Sequence, residues 1–286
     1  RQMCIRDRLL KAYAKVNLVL KVLGKNDYNY HNLQMLNAKI DLYDQIDVKK
    51  NNKKNDLVKF RGLNQENIKD DLVLRCINII KNYYNIDDCF DITITKQIPI
   101  GAGMGGGSCD VATIVKYLLR RYHIEEDLNQ LIHLLKDQSA DIPYCLTNKI
   151  AFVEGIGEKV SEIFVAIPNE CILVNPHISI STKEVFEKVK NYSKPLTKDS
   201  LMKQIATKGY SIFNNDLEEA AFLLYPQLQE IKNNLSKIGH TVMSGSGSTM
   251  MVFGDDLASM YEQIKKIYPK YFIRKVKILK EKENGN

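Results

Sequence analysis

Along residues 12–23 the chain alternates so that Ala14, Val16, Leu18, Leu20 and Val22 share one face, the period-two signature of a β-strand. Lys15 and Asn17 share the other face, and alternation alone reads them as solvated polar side chains. Further strands are predicted within 34–60 and at 89–96, where Phe90-Asp-Ile-Thr-Ile-Thr-Lys96 alternates apolar and polar. Apolar residues at helical spacing predict helices over 72–84, 111–122 and 127–137. Beyond these, the pattern predicts strands around 150–175, helices near 183–190, 198–207 and 216–236, a strand at 249–254, a helix at 256–267 and a last strand at 272–279. Both halves mix helix with antiparallel strand signals, which predicts an α+β fold.

One stretch belongs to neither period. Between the predicted strand at 89–96 and the helix at 111–122 lies Pro99-Ile-Gly-Ala-Gly-Met-Gly-Gly-Gly-Ser-Cys-Asp110, which holds five of the fifteen glycines. Glycines admit positive φ and let backbone amides approach an anion with no Cβ in the way, and a helix N-terminus offers unpaired N–H groups. The run therefore predicts a phosphate-binding loop. Gly101 to Gly106 formally fits the dinucleotide pattern GxGxxG, but no βαβ unit with an acidic ribose ligand surrounds it. The ATPase P-loop is excluded because no Lys-Ser/Thr follows the glycines. Ser108 and Asp110 suit the first turn of the helix that follows.

The string PIGAGMGGGSCDVA resembles the second motif of the GHMP small-molecule kinases. Its triple glycine is similar to the branch of that family that phosphorylates a cytidine diphosphate sugar-alcohol in isoprenoid precursor biosynthesis. The resemblance implies that Pro99, Gly101, Gly103, Gly105, Gly106, Gly107, Ser108 and Cys109 bind ATP, accompanied by Mg2+ whose ligands the sequence does not name. Two departures stand out. Met104 replaces the common Leu at similar volume, and Cys109 replaces a Ser, weakening any hydroxyl contact there.

The rest of the chain carries matching motifs in the family's order from about residue 10 to residue 280. AKVNLVLKVLGKNDYNYHNLQML, from Ala14 to Leu36, resembles the first motif and implies active-site roles for Lys15 and Asn17, with Tyr30 and His31 meeting the cytidine. An aromatic face can stack on a base and an imidazole can bond its edge. Ile178-Ser-Ile-Ser-Thr-Lys-Glu-Val-Phe186 resembles the segment whose aromatic covers the other side of the base, although Phe186 also reads as a core-facing helix residue. Ser139-Ala-Asp-Ile-Pro-Tyr-Cys145 resembles the segment carrying the general base, which implies that role for Asp141; by itself an Asp before Ile-Pro reads as an N-cap. Ser139 stands where the family has Gly, which restricts φ near Asp141. Weaker echoes lie at Ala151 to Val160, Asn214 to Glu218, and Met243 to Thr249, where Gly245 and Gly247 are expected to form a second loop facing the first. Lys96 either reaches the nucleotide or is a solvated lysine at a strand end, and adenine is expected against Asp70 to Leu74.

The resemblance implies a ribosomal-S5-like N-terminal domain over 9–157, a ferredoxin-like C-terminal domain over 158–281, and an ATP-dependent kinase working in the cleft between them. Lys15 and Asp141 would be catalytic, whereas a non-catalytic relative of the same fold would be expected to lose one of them. Other GHMP kinases, acting on homoserine, mevalonate or a sugar, are the alternative acceptor class, against which the triple glycine and Tyr30-His31 argue.

Composition narrows the setting without choosing the function. No stretch reaches the roughly 18 apolar residues of a membrane span, and no signal-peptide core is visible. Six cysteines form no CxxC or zinc pattern, so reduced thiols and a cytoplasmic location are expected. Cys109, expected near a helix N-terminus, reads either as an activated thiol or as an inert buried one. The net charge of +7 gathers in Lys49 to Lys54 and in Lys265 to Lys282. The first run reads as a polar hairpin turn, and Val276, Ile278 and Leu279 give the second a strand character, so nucleic-acid binding is not expected. Residues 1–8 match nothing in the family and read as a foreign leader.

Overall fold

The computed structural model describes residues 9–62, 72–147 and 149–280. Residues 1–8, Asp70 and Asp71 of the expected adenine segment, and the last residues of the basic tail lie outside the described residues. Two compact units emerge, the first from Arg1–Ala14, Leu42–Ile98 and Gly105–Thr147, the second from Lys15–Asp41, Pro99–Met104 and Asn148–Asn286. The units are interleaved along the chain, with divisions inside two long strands, β1 (Leu10–Lys25) and β2 (His31–Asn51).

In the first unit, β4 (Cys89–Lys96) pairs antiparallel with the end of β2, from Gln45↔Thr95 to Asn51↔Cys89. On its other edge β4 pairs parallel with β3 (Leu57–Gly62). The basic run at Lys49 to Lys54 is therefore not the hairpin turn expected from its polarity. β4 lies between the two strands the run connects, because a parallel pair needs a crossover and α1 (Leu72–Tyr84) supplies helical residues for it. The connection is tied to that intervening strand, with Asn51 Nδ2 donating to Asp91 at 2.8 Å.

Alternation decides which strand residues enter the core. Ile46, Val48, Phe90, Ile92 and Ile94 are buried, together with Val73, Ile77 and Ile80 of α1 and Val111, Val115 and Leu118 of α2 (Gly106–Arg121). α3 (Leu128–Leu135) adds Leu131 and Leu135, and Asp127 caps its N-terminus by accepting from the amides of Asn129 and Gln130.

In the second unit, the start of β2 pairs antiparallel with β5 (Ala151–Gly155), which pairs with β6 (Lys159–Glu162). β1 takes β8 (Asn214–Asn215) as a short parallel neighbour. Residues 14–20 of β1 are all buried, so both of its faces are covered there. Lys15 and Asn17 are accordingly not solvated: they are 3% and 0% exposed.

A second sheet has the order β11-β7-β10-β9, antiparallel throughout, from β7 (Glu170–Asn175), β9 (His240–Met243), β10 (Met250–Phe253) and β11 (Phe272–Lys277). Helices separate β7 from β9, and α9 (Leu257–Ile267) separates β10 from β11. This split βαβ order is the ferredoxin-like arrangement that was expected. The basic tail's Val276, Ile278 and Leu279 are buried, and Tyr268 stacks on Tyr271 with ring centroids 4.7 Å apart.

The helix expected at 216–236 is two helices, α7 (Leu217–Leu224) and α8 (Pro226–Leu235). Pro226 lacks an N–H and excludes the helical conformation from Tyr225, whose φ is −131°. α5 (Thr182–Lys188) and α6 (Lys198–Lys208) match expectation; Ser181 and Thr197 cap them by accepting from Glu184 and Ser200 amides. Strand β9 was not foreseen, since four residues ending in the glycine run offer too short a period to detect.

Candidate active site

The glycine run is divided between the units, Pro99–Met104 in the second and Gly105 onward in the first. Gly101, Gly103 and Gly105 have φ of 64°, 73° and 62°, a left-handed conformation costly for any residue with a Cβ. Gly105 is the N-cap of α2 with no side-chain capping bond, and Cys109 N donates to its carbonyl at 2.9 Å. The helix thus starts five residues before the predicted 111, and Gly106, Gly107 and Ser108 form its first turn. Their amides have no carbonyl four residues back within the helix, and a Cβ is missing from two of them, which is the donor set a phosphate requires.

Gly103 is fixed from the second unit's other glycine loop. A Cβ on Gly103 would lie 2.0 Å from the carbonyl oxygen of Ser244, and one on Gly245 would lie 3.0 Å from the carbonyl oxygen of Gly103. Ser244 Oγ donates to Gly103 O at 3.0 Å and accepts from Asn17 N at 3.3 Å. The expected facing of the two loops is therefore found between Gly103 and the Ser244-Gly245 backbone. Asn215 Nδ2 holds that second loop by donating to Met243 O and Gly245 O, both at 2.7 Å, while Glu218 accepts from Met243 N at 2.8 Å. The echo from Asn214 to Glu218 is thus a clamp on this loop.

Lys15 belongs to the same unit, and its backbone N donates to Met104 O at 3.1 Å. Its Nζ donates to Asn17 Oδ1 at 2.9 Å; Asn17 Nδ2 in turn donates to Asn37 Oδ1 at 2.7 Å. The three side chains form a buried polar row, ending in an Asn37 Nδ2 that is buried without a hydrogen-bond partner. Asn37 was not anticipated; three polar side chains at 15, 17 and 37 carry no spacing signal because β1 and β2 meet only in the fold.

The base-binding candidates also lie in the second unit, where His31 and Phe186 meet. Asn26 closes the turn before β2 by accepting from the amides of Tyr28 and Tyr30, both at 3.0 Å, and Tyr30 is 62% exposed. The His31 ring lies 5.2 Å from Phe186 and 6.2 Å from Tyr192, a third ring the sequence did not single out. Val185 takes the buried position on α5, leaving Phe186 half-buried against the imidazole, not in the core. Burial, helped by the charge of Lys25, lowers the His31 pKa, which keeps the ring neutral; its Nε2 is buried without a partner.

Asp141 lies in the first unit, at the N-terminus of the four-residue helix α4 (Ile142–Cys145). Its side chain makes no capping bond, so the N-cap reading does not describe it. Ser139 Oγ pairs with Ser108 Oγ at 2.9 Å and accepts from Asp141 N at 3.4 Å, linking the first turn of α2 to the aspartate's segment. Ser139 is not among the residues with positive φ, so the exchange of Gly for Ser brings no left-handed strain. Cys109 is 1% exposed, its sulfur 3.1 Å from that of Cys145, which agrees with the buried-thiol reading. Lys96 is not solvated: it is 6% exposed and bonded to Asp44 and Asp110. Among the described residues, no group of three or more His, Cys, Asp or Glu side chains is placed to hold a metal ion. No described helix is long and apolar enough to cross a membrane.

Residues 71–149 match the GHMP kinases N terminal domain and residues 198–272 the GHMP kinases C terminal domain. With the uncapped glycine start of α2, these matches define the class: the chain belongs to the GHMP kinase family, enzymes that phosphorylate small molecules with ATP. Over 279 residues, 92% of this chain and 98% of the relative, it is 33% identical to the 4-diphosphocytidyl-2-C-methyl-D-erythritol kinase of Clostridium beijerinckii. It is 35% identical to the kinase of the same name from Lachnoclostridium phytofermentans, across 86% of this chain and 88% of that one. A crystal structure of 4-(cytidine 5'-diphospho)-2C-methyl-D-erythritol kinase matches at a TM-score of 0.76 and 26% identity, over 94% of this chain and 99% of that one. The mevalonate kinase of Methanococcus jannaschii, 17% identical over 96% of this chain and 99% of its own at a TM-score of 0.67, shares the fold.

Proposed function

We propose that the protein transfers the γ-phosphoryl group of ATP to the 2-hydroxyl of 4-diphosphocytidyl-2-C-methyl-D-erythritol, giving the 2-phosphate and ADP in non-mevalonate isoprenoid precursor biosynthesis in the cytoplasm. The observation that carries this reading is the similarity, across 98% of a relative's length, to kinases named for that acceptor.

Phosphoryl transfer asks the protein for positioning and charge stabilisation more than covalent chemistry. The amides of Gly103, Gly105, Gly106, Gly107 and Ser108 receive the ATP phosphates, with Pro99, Gly101 and Cys109 shaping the run. Magnesium arriving with ATP would screen the charge of the phosphates, which the loop amides hold. Asp141 accepts the proton of the acceptor hydroxyl as its oxygen attacks the γ-phosphorus and the bond from that phosphorus to the β-γ bridging oxygen breaks. Lys15 supplies the positive charge that stabilises the developing alkoxide. Its bond to Asn17, continued to Asn37, fixes the ammonium in one rotamer. Tyr30, His31 and Phe186 hold the cytidine. A neutral His31 can offer an acceptor to the exocyclic amine of cytosine, which an imidazolium cannot.

The test is an acceptor panel. With ATP and the cytidyl diphosphate acceptor the purified protein is expected to release ADP, whereas homoserine, mevalonate or simple sugars leave only background. ADP release driven by one of those instead would replace the acceptor assignment.

A further inference from the structure

Asp44 lies on β2, more than fifty residues before the glycine run, and nothing in the motifs points to it. It is fully buried in the first unit, and each of its carboxylate oxygens is committed. Oδ1 accepts the backbone N–H groups of Gln97 at 2.6 Å and Ile98 at 2.9 Å, the two residues that leave β4 toward the loop. Oδ2 pairs with the ammonium of Lys96, the last residue of β4. The same ammonium donates to Asp110 Oδ2 at 2.8 Å, in the fifth residue of α2. A Cβ placed on Gly106 would lie 3.3 Å from Lys96 Nζ, so the ammonium sits directly beneath the first turn of the helix.

We propose that Asp44 and Asp110 are positioning residues for the phosphate-binding turn, using Lys96 as a buried cationic strut that joins the end of β4 to the start of α2. A buried ion pair is a weak device for raising stability, because desolvation offsets most of its attraction, but its short charge-assisted hydrogen bonds fix the groups they join. Here it fixes the two chain segments that bracket the glycines. Charge is also accommodated. Burial would push the proton off Lys96, but the two carboxylates outweigh it and its pKa is raised; burial, with Asp44 nearby, also raises that of Asp110 above its ordinary value against the pull of Lys96. Asp110 Oδ1 is buried without a hydrogen-bond partner.

This inference rests on the reading of the glycine run as an ATP site, so its test reads nucleotide binding apart from turnover. Asp110→Ala removes the link to α2 while leaving Asp44 and Lys96 as a balanced buried pair; Asp110→Asn keeps an oxygen to accept from Lys96. The control is Asp56→Asn, which weakens a similarly built pair in the same unit, where Asp56 accepts from Lys81 at 2.5 Å and from Phe90 N at 2.7 Å away from the loop. Affinity for a non-hydrolysable ATP analogue and KM for ATP are expected to weaken by about tenfold in Asp110→Ala. Asp110→Asn restores them, and KM for the acceptor stays within about twofold throughout. Asp44→Asn, where it folds, is expected to follow Asp110→Ala. The positioning role is overturned if Asp110→Ala lowers thermal stability as Asp56→Asn does but binds the analogue like the parent protein. Should the parent protein bind the analogue yet phosphorylate no acceptor, the proposed function fails while this comparison still decides the strut. If it does not bind the analogue at all, both fall.

Discussion

Lys15 and Asn17 show how far a single residue's role can be read from its neighbours. Alternation assigned them to the wetter face of a strand, and only the motif around them suggested otherwise; in the fold both are buried because β1 is covered on both faces. No period in one strand reveals what covers its other side. Gly103 is the opposite case, a residue whose conformational need was visible from the crowding of glycines. Gly103→Ala places a Cβ on a left-handed backbone and against the Ser244 carbonyl. The backbone term alone costs about 1–2 kcal/mol, so thermal denaturation is expected to shift down together with weaker ATP binding. Cysteine reactivity follows burial in the same way. Burial pushes the Cys76 thiol up to about 12 and raises Cys171 further, and Cys109 and Cys145 are also buried, whereas Cys89 is half-buried. Brief alkylation of the native protein followed by peptide mapping is expected to modify Cys89 before these four. Preferential labelling of Cys109, prevented by ATP, would restore the activated-thiol reading.

At the scale of elements, helices such as α1 and α6 were legible nearly to the residue, while connections between strands were not. The polar run after β2 looked like a hairpin because polarity marks a turn without saying which strand pairs next; the parallel partner of β3 is chosen by β4. The early start of α2 was hidden for a related reason, since glycines argue against helix by propensity and here begin one where amides must stay uncapped. The second glycine loop depends on a side chain from another element. Asn215→Ala would leave the Met243 and Gly245 carbonyls buried without their donor, for an expected loss of about 1–3 kcal/mol in chemical denaturation. The aromatic cluster on β2 and α5 carries a pH signature. Burial, with Lys25 nearby, lowers the His31 pKa, so the ring takes up a proton at lower pH than an ordinary imidazole. KM for the cytidyl acceptor is expected to stay level at neutral pH and to rise as pH falls through that lowered pKa, and His31→Gln to remove the rise.

For the molecule as a whole, the class of fold and the family were legible because the motifs occur in order along nearly the entire chain. The polar networks behind them were not. Asn37, Asp44 and Asn215 reach their partners across 20, 52 and 28 residues of sequence, and no local pattern announces such pairings. The proposed kinase reaction assigns proton transfer to Asp141 and charge stabilisation to Lys15. Single-turnover phosphorylation of 4-diphosphocytidyl-2-C-methyl-D-erythritol by the parent protein, Lys15→Ala and Asp141→Asn tests it most directly, with ATP-analogue binding measured in parallel. The account predicts product in the parent and a rate lower by at least about a hundredfold in each variant, with nucleotide affinity largely kept. Transfer at the parental rate in both variants would contradict it.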